Sequence, residues 1–247
     1  MSNQITLYDL PNKNPDVGCW SPNTWKARAA LNFKGLDYKT EWISYPDITP
    51  KLTSFGVPGD DNWPHHTLPA ISYSDDGKTS FKMDSARIAA YLEELKPQPS
   101  LQLSDPTVEQ VQHIVQRDIM GIIRPIMLPR VPNALLPPRD AQYFHETRTK
   151  AFGCTLEELL AKTDEEALWK TTSQTVRDKL VPLLKKSGGP FFLGEKASYA
   201  DLFLGSFLAW FRVVDPAILE RFLSFDSEGH LRTLWQAVQP FFERASF

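Results

Sequence analysis

Within residues 18–28, Ser21 lies at a position where a protein can bind an anion. Ser21 follows an apolar strand pattern, residues 5–10, and a polar loop, and it directly precedes Pro22. Proline suits the first turn of a helix and Gly35 suits its C-terminal cap, so a helix should begin at Ser21. Unpaired N–H groups and the helix dipole favour an anion at such a start. The local sequence leaves two interpretations open: Ser21 binds an anion, or it only caps the helix.

Two further stretches could bind a peptide beside that serine. Pro69 stands among apolar residues at a strand start, which tolerates a missing N–H donor. A cis bond between Leu68 and Pro69 would turn the backbone N–H and C=O of Leu68 outward, free to pair with an extended peptide. Asp84 and Ser85 then open a helix, because apolar residues follow them at helical spacing.

The first hundred residues predict the elements that position these groups. Residues 38–43 form a second strand pattern after the first helix, so a parallel strand-helix-strand unit is expected. Residues 44–66 form a long loop with one short helix near 48–55, and such loops are usually functional. Asp75-Asp76-Gly77-Lys78 predicts a hairpin turn between two strands. A helix should follow over residues 85–95.

The rest of the chain is predicted to be helical. Prolines at 97 and 99 indicate an extended linker. Helices are expected over 107–128, interrupted at Pro125, and then over about 140–162 and 165–187, whereas the proline-rich residues 128–139 should not form regular helix. Ser198 and Asp201 have the spacing of a capping box, and the wholly apolar residues after them predict a central buried helix.

The order of Ser21, Leu68-Pro69 and Asp84-Ser85 resembles the N-terminal domain of the cytosolic glutathione transferases. The capping sequence at 198–201 is similar to that of the core helix in their C-terminal domain. The resemblance implies a thioredoxin-like α/β domain over residues 1–96, a linker over 97–104, and an all-α domain over 105–247 that lines the electrophile site. This is the glutathione transferase fold.

The same resemblance implies roles for individual residues. Ser21 would be catalytic and would activate the thiol of glutathione, the co-substrate. The glutathione-binding residues would be Asn23, His66, Thr67, Leu68, Pro69, Asp84 and Ser85. The electrophile pocket would include Trp20, Met120, Ile123, Arg124 and Tyr143. His65 and Lys51 are alternatives to His66 as the basic group for the glycine carboxylate.

The run Trp20–Lys26 resembles fungal transferases related to bacterial β-aryl etherases, including the fungal-specific A class. It implies a homodimeric enzyme that conjugates glutathione to hydrophobic or aromatic electrophiles, with aryl ethers as further substrates and plant polyphenols as ligands. One alternative is a non-catalytic carrier of polyphenols or flavonoids. Another is a glutathione-dependent reductase acting through Cys19, although the proline of the Cys-type pattern follows Ser21 and not Cys19.

Composition limits the other partners. The 247 residues carry a net charge of -3, which gives no electrostatic reason to expect nucleic acid or an anionic membrane surface. No apolar run approaches the roughly 20 residues that cross a bilayer, and the polar first residues are no signal peptide. The two cysteines and five histidines show no metal-ligand spacing, so no metal is expected. A cytoplasmic location is therefore expected.

Overall fold

The computed structural model describes residues 4–61, 64–76 and 78–246. Its first part is a four-stranded sheet with the strand order β2-β1-β3-β4, in which only β1 and β2 are parallel. The strands are β1 Gln4–Asp9, β2 Tyr38–Trp42, β3 Ala70–Asp75 and β4 Lys78–Met83. The helices of this part are α1 Pro22–Lys34, α2 Ile48–Ser54 and α3 Ser85–Leu95.

These elements confirm the predicted order β-α-β-(α)-β-β-α. Helix α1 begins with Pro22 and ends at Gly35, which adopts the left-handed conformation with a φ of 57°. Strands β3 and β4 pair from Ala70 opposite Met83 to Asp75 opposite Lys78, as a hairpin requires. Gly77, on which the predicted turn partly rests, lies outside the described residues.

The strand register brings the three stretches to one edge of the sheet. Tyr8, near the end of β1, pairs with Ala70 at the start of β3, and Ala70 pairs with Met83 at the end of β4. The segments that follow β1, precede β3 and follow β4 therefore meet at this edge. They contain Ser21, Leu68-Pro69 and Asp84 respectively.

A buried ion pair ties α1 to the sheet. Nη2 of Arg28 lies 2.9 Å from Oδ2 of Asp9, and both side chains are fully buried. Arg28 also donates to the hydroxyl of Thr40 on β2, at 3.0 Å, and the N–H of Leu10 donates to the other Asp9 oxygen, at 2.7 Å. These bonds compensate for the burial of both charges and hold the helix that carries Ser21 in place.

The second part of the chain is helical. Its helices are α4 Pro106–His113, α5 Met120–Met127, α6 Val131–Leu135, α7 Pro138–Phe152, α8 Leu156–Ala161, α9 Glu165–Thr175, α10 Val181–Ser187, α11 Tyr199–Val214, α12 Pro216–Leu223 and α13 His230–Val238. Helix α11 lies at the centre and packs against α1, α4, α12 and α13. Its residues from Tyr199 to Phe211 are all buried, as its apolar sequence predicts. The capping box of Ser198 and Asp201 is confirmed.

Three helix boundaries differ from the prediction. Pro125 lies inside α5, because the carbonyl that loses its partner belongs to exposed Gly121 and can be hydrated. Residues 131–135 are helical although prolines surround them, since Pro132 occupies an early position where its missing N–H costs no bond. The helix expected over 140–162 is broken at Gly153, which ends α7 with a φ of 71°.

Two π-helical turns were not predicted. They span Ile114–Ile119, between α4 and α5, and Val176–Leu180, between α9 and α10, and they lie against each other. Such π turns occur mostly as single turns inside α-helices. The helices expected over 107–128 and 165–187 therefore run as α, π and α segments.

The C-terminal segment packs on the loop that leads to Ser21. The N–H of Cys19 donates to the carbonyl of Ala245 at 2.9 Å, and the amide of Asn32 donates to the carbonyl of Phe241 at 2.8 Å. Gly18 has a φ of 67°, and a Cβ there would lie 2.5 Å from the Ala245 oxygen. Only glycine fits this close approach.

Among the helices that the structure describes, none has both the length and the apolar content required to cross a bilayer.

Candidate functional site

The hydroxyl of Ser21 is not used by its own helix. Ser21 is the N-cap residue of α1, but its side chain forms no capping hydrogen bond and is 4% exposed. The backbone carbonyl of Ser21 instead accepts from the N–H of Trp25, at 2.9 Å, and from the hydroxyl of Thr24, at 3.1 Å. The Ser21 hydroxyl is therefore available as a donor at the positive end of α1.

A cavity of about 260 Å³ opens against Ser21, between the start of α1 and the helical part. Its residues are mainly aromatic or apolar, with a few polar and two cationic groups. They are Trp20, Ser21, Pro22, Asn23, Tyr45, Gln116, Met120, Arg124, Leu128, Val131, Phe144, Arg148, Phe207 and Trp210. This composition is typical of a small-molecule site.

The segment before β3 presents unpaired backbone groups at the same sheet edge. The Leu68-Pro69 bond is cis, the isomer on which the pairing considered for Leu68 depends. Neither the N–H nor the C=O of Leu68 has a hydrogen-bond partner in the described part of the chain. The N–H of Thr67 donates to Sδ of Met83 at 3.3 Å, and the carbonyl of Pro69 accepts from Asp84 at 3.2 Å. Leu68 can thus pair with an extended ligand.

Asp84 caps α3 in a backbone conformation rare for its type. Its φ is 83°, and one carboxylate oxygen accepts from the N–H groups of Ala86, at 2.9 Å, and Arg87, at 3.1 Å. Positive φ at a residue other than glycine is often found at functional sites. Asp84 therefore acts as the cap of α3, and it does so as an exposed residue whose other carboxylate oxygen accepts none of these bonds. The carbonyl of the adjacent Ser85 accepts from the hydroxyl of Tyr199 at 3.2 Å.

Asn23 is held by a buried lysine. Nζ of Lys26 donates to Oδ1 of Asn23 at 3.0 Å and lies over the rings of Phe203 and Phe207, 4.3 and 5.0 Å from their centroids. Burial lowers the pKa of Lys26 to about 8, although the charge of Asp84 acts to raise it. Lys26 therefore contacts two lining residues of the cavity, Asn23 through a hydrogen bond and Phe207 through its ring.

The three basic candidates for a glycine carboxylate differ in their partners. Lys51 pairs with Glu41 at 2.7 Å, and Nδ1 of exposed His65 lies 2.8 Å from the Asp60 carbonyl. Nε2 of His66 donates to the carbonyl of Val57 at 2.9 Å, while its Nδ1 is buried without a partner among the described residues. His66 is thus the candidate with an unused buried polar atom.

Cys19 has the properties of a core residue. It is 1% exposed, and its sulfur lies 3.3 Å from the hydroxyl of Thr24. Burial raises the pKa of its thiol well above the ordinary value. A neutral, inaccessible thiol is a poor nucleophile, so the alternative of a reductase acting through Cys19 has no structural support.

The structure brings three of the five residues predicted for the electrophile pocket to this cavity. Trp20, Met120 and Arg124 line the cavity. Ile123 does not, because its side chain is fully buried in the core. Tyr143 is also absent from the lining and stacks on Tyr45, with ring centroids 6.1 Å apart.

Several lining residues were missed in the sequence. They are Tyr45, Gln116, Arg148, Phe207 and Trp210. Gln116 belongs to a π turn, which the helical pattern of residues 107–128 did not predict. Arg148 follows Phe144 by four residues and so shares its helix face, and this spacing was the available signal.

Family models match both parts of the chain. The model described as "Glutathione S-transferase, N-terminal domain" matches residues 20–95, and that described as "Glutathione S-transferase, C-terminal domain" matches residues 108–241. The chain therefore belongs to the glutathione S-transferase family. Its thioredoxin-like sheet part followed by a helical part confirms the predicted fold class.

Individual fungal proteins are similar over nearly the whole length. The glutathione S-transferase-like protein ustS of Aspergillus flavus is 33% identical over 256 aligned positions, covering 94% of this chain and 89% of that one. The structure of CsGST63524 of Ceriporiopsis subvermispora in complex with glutathione has a TM-score of 0.84 at 31% identity, covering 96% and 97%. The structure of GSTFuA3 from Phanerochaete chrysosporium has a TM-score of 0.83 at 32% identity, with the same coverage.

Proposed function

We propose that this protein is a glutathione transferase in which the Ser21 hydroxyl stabilises the glutathione thiolate for conjugation to hydrophobic or aromatic electrophiles. The observation that carries the proposal is the Ser21 hydroxyl itself. This hydroxyl forms no capping hydrogen bond with α1, lies at the positive end of that helix, and lines a cavity rich in aromatic residues. A donor in this position needs no general base beside it, because serine does not ionise in the reaction.

The tripeptide is proposed to lie along the sheet edge described above. The backbone of Leu68 would pair with the cysteinyl unit, and Asp84 and Ser85 would bind the γ-glutamyl end. An N–H at Nδ1 of His66, in addition to the Nε2–H that bonds Val57, would donate to the glycine carboxylate. The unpaired groups of Leu68 and His66 support this arrangement. So does the similar structure of CsGST63524, which was solved with glutathione.

The proposed thiol activation is energetically modest. A free thiol of this kind has a pKa of roughly 8.5, so a minor fraction is ionised at neutral pH. Lowering that pKa by about two pH units requires about 2.7 kcal/mol, which one charge-assisted hydrogen bond and a helix end can supply together. The thiol proton passes to water. The thiolate then forms the new S–C bond, either by adding to a double bond whose other atom takes a proton from water, or by displacing a leaving group as its anion.

The same attack is proposed to extend to aryl ethers. There the S–C bond forms as the C–O bond breaks, and the phenolate that leaves takes a proton from water. The resemblance of residues 20–26 to etherase-related transferases motivates this extension, and the aromatic lining of the cavity is consistent with it.

Turnover of benzyl isothiocyanate with glutathione tests the proposal. We expect Ser21→Ala to lower kcat/KM by roughly 100-fold, the effect of removing one donor from a developing anion. Ser224→Ala, which removes an exposed hydroxyl bonded to the Arg221 carbonyl, should not change it. If the wild type binds a flavonol such as quercetin but conjugates no electrophile, the protein is a ligand carrier and the proposal is wrong.

A further inference from the structure

Two guanidinium groups line the aromatic cavity from different helices. Arg124 belongs to α5 and Arg148 to α7, and both are among its lining residues. The Arg148 guanidinium carbon lies 4.2 Å from the ring centroid of Phe144 and 5.5 Å from that of Tyr45. Arg124 lies 6.0 Å from the ring centroid of Phe152. Both cations are thus packed on aromatic rings.

No acidic residue balances these charges inside the cavity. Arg124 and Arg148 are the only charged residues of its described lining. Neither has a carboxylate within 4.0 Å in the described part of the chain. The nearby Asp140 is buried and already accepts from the hydroxyl of Ser44, at 3.0 Å, and the N–H of Tyr45, at 2.6 Å.

The remaining polar groups of the cavity stay neutral. Burial raises the pKa of Tyr45 to about 12, despite the opposing effect of Arg148, so its phenol is not an anion at physiological pH. Asn23, Gln116 and Ser21 carry no charge. The cavity therefore combines flat aromatic surfaces with a local charge of plus two.

The glutathione carboxylates are assigned elsewhere. In the proposed function, which this inference takes as its basis, the γ-glutamyl carboxylate would accept from Ser85 and the glycine carboxylate from His66, both at the sheet edge. Arg124 and Arg148 lie on helices of the second part of the chain, among the side chains of the electrophile cavity.

We propose that the electrophile of this enzyme is an aromatic compound bearing a carboxylate, and that Arg124 and Arg148 bind this carboxylate while the aromatic side chains pack on the ring. A planar guanidinium matches a carboxylate better than any other cation of proteins. The two arginines then determine substrate specificity, whereas Ser21 stabilises the glutathione thiolate.

Paired substrates test the charge preference. The electrophiles are 4-(isothiocyanatomethyl)benzoic acid and its methyl ester, which differ in one charge and react at the same carbon. The thiolate adds to the isothiocyanate carbon and the nitrogen takes a proton, giving a dithiocarbamate with no leaving group. We expect the wild type to prefer the acid. Arg124→Gln and Arg148→Gln should each lower kcat/KM for the acid about tenfold, which is the factor that about 1.4 kcal/mol of lost ion pairing gives. Their kcat/KM for the ester should stay within twofold of the wild-type value.

Arg117→Gln is the matched control, since it removes the same charge from an exposed position outside the cavity lining. Arg117→Gln should leave kcat/KM unchanged for both the acid and the ester. Equal turnover of acid and ester by the wild type, or an equal loss of both in the arginine variants, would overturn the proposal. An equal loss would mean that these arginines bind the tripeptide or only support the fold.

Binding of stable conjugates separates this proposal from the proposed function. Calorimetry compares S-(4-carboxybenzyl)glutathione with the neutral S-(4-methoxycarbonylbenzyl)glutathione, and neither requires turnover. Tighter binding of the carboxylate, lost in Arg148→Gln, supports the anion site even if no electrophile is conjugated. Equal binding of the two conjugates contradicts the anion site even if Ser21 proves catalytic.

Discussion

The ammonium group of Lys26 donates a hydrogen bond of 3.0 Å to Oδ1 of Asn23. Lysine has no acceptor, so the amide oxygen must face it, and the NH2 group of Asn23 is the part left for the cavity. Asn23 lines the cavity beside Ser21. The pair therefore fixes a second donor near the place proposed for the sulfur.

Replacing Lys26 should release the Asn23 amide. We expect Lys26→Met to lower kcat/KM for benzyl isothiocyanate about fivefold, as one oriented neutral hydrogen bond is worth roughly 1 kcal/mol. The free energy of unfolding should not fall, because methionine fills the site without a buried charge. Steady-state kinetics and urea unfolding measure the two effects. Lys170→Met, at an exposed position, is the control, and unchanged kinetics in Lys26→Met would refute the positioning role.

The lowered pKa of Lys26 predicts a pH-dependent stability. Between its folded value of about 8 and the ordinary value of 10.5, the unfolded chain binds more protons at this site than the folded chain. Stability therefore rises with pH across this window, by roughly 3 kcal/mol for this one group when the whole window is crossed. We expect urea unfolding from pH 7 to 10 to show this rise for the wild type relative to Lys26→Met. Parallel profiles of the two proteins would contradict it.

The burial of Cys19 predicts that its thiol is dispensable. Cys19→Ser should conjugate electrophiles within about twofold of the wild type, because the neutral thiol takes no part in the proposed reaction. A thiol reagent should label the half-buried Cys154 of the folded protein and leave Cys19 unmodified. Loss of glutathione-disulfide reduction in Cys19→Ser, with Ser21 unchanged, would instead establish the reductase.

The Asp201 carboxylate predicts a large stability effect within the helical core. Its two oxygens accept from the N–H groups of Phe192, at 2.8 Å, and Ser198, at 2.7 Å, and from the Ser198 hydroxyl, at 2.7 Å. An amide NH2 in place of one oxygen would face donors without a partner. We expect Asp201→Asn to cost about 2 kcal/mol of unfolding free energy. Asp215→Asn, at an exposed cap, should cost less than about 0.5 kcal/mol, since asparagine also caps helices well. Equal urea midpoints for the two variants would contradict this expectation.

The sheet part could be predicted from the sequence because its signals are local. Pro22 and Gly35 bound α1, and alternating apolar residues with turn residues define β3 and β4. The convergence of Ser21, Leu68 and Asp84 was expected from the family resemblance. Its physical reason is the topology, since a parallel pair and a hairpin bring these segments to one edge.

The helical part was less predictable because its boundaries depend on packing. Proline signals were misleading at Pro125 and Pro132, where hydration and an early helix position remove the usual cost. Of the two neighbouring α5 residues predicted for the electrophile pocket, Arg124 lines the cavity and Ile123 is fully buried, because packing and not the local pattern sets how a helix is turned. Tyr45 and Arg148 converge only through tertiary structure.

The ionisation of glutathione bound at Ser21 is the most direct test of the central claim. The ultraviolet absorbance of the thiolate, followed against pH, gives the apparent pKa of the bound thiol in the wild type and in Ser21→Ala. We predict a pKa about two pH units below that of free glutathione in the wild type, and a return most of the way to the free value in Ser21→Ala. The same thiol pKa in both proteins, with glutathione bound in each, would contradict the role assigned to Ser21.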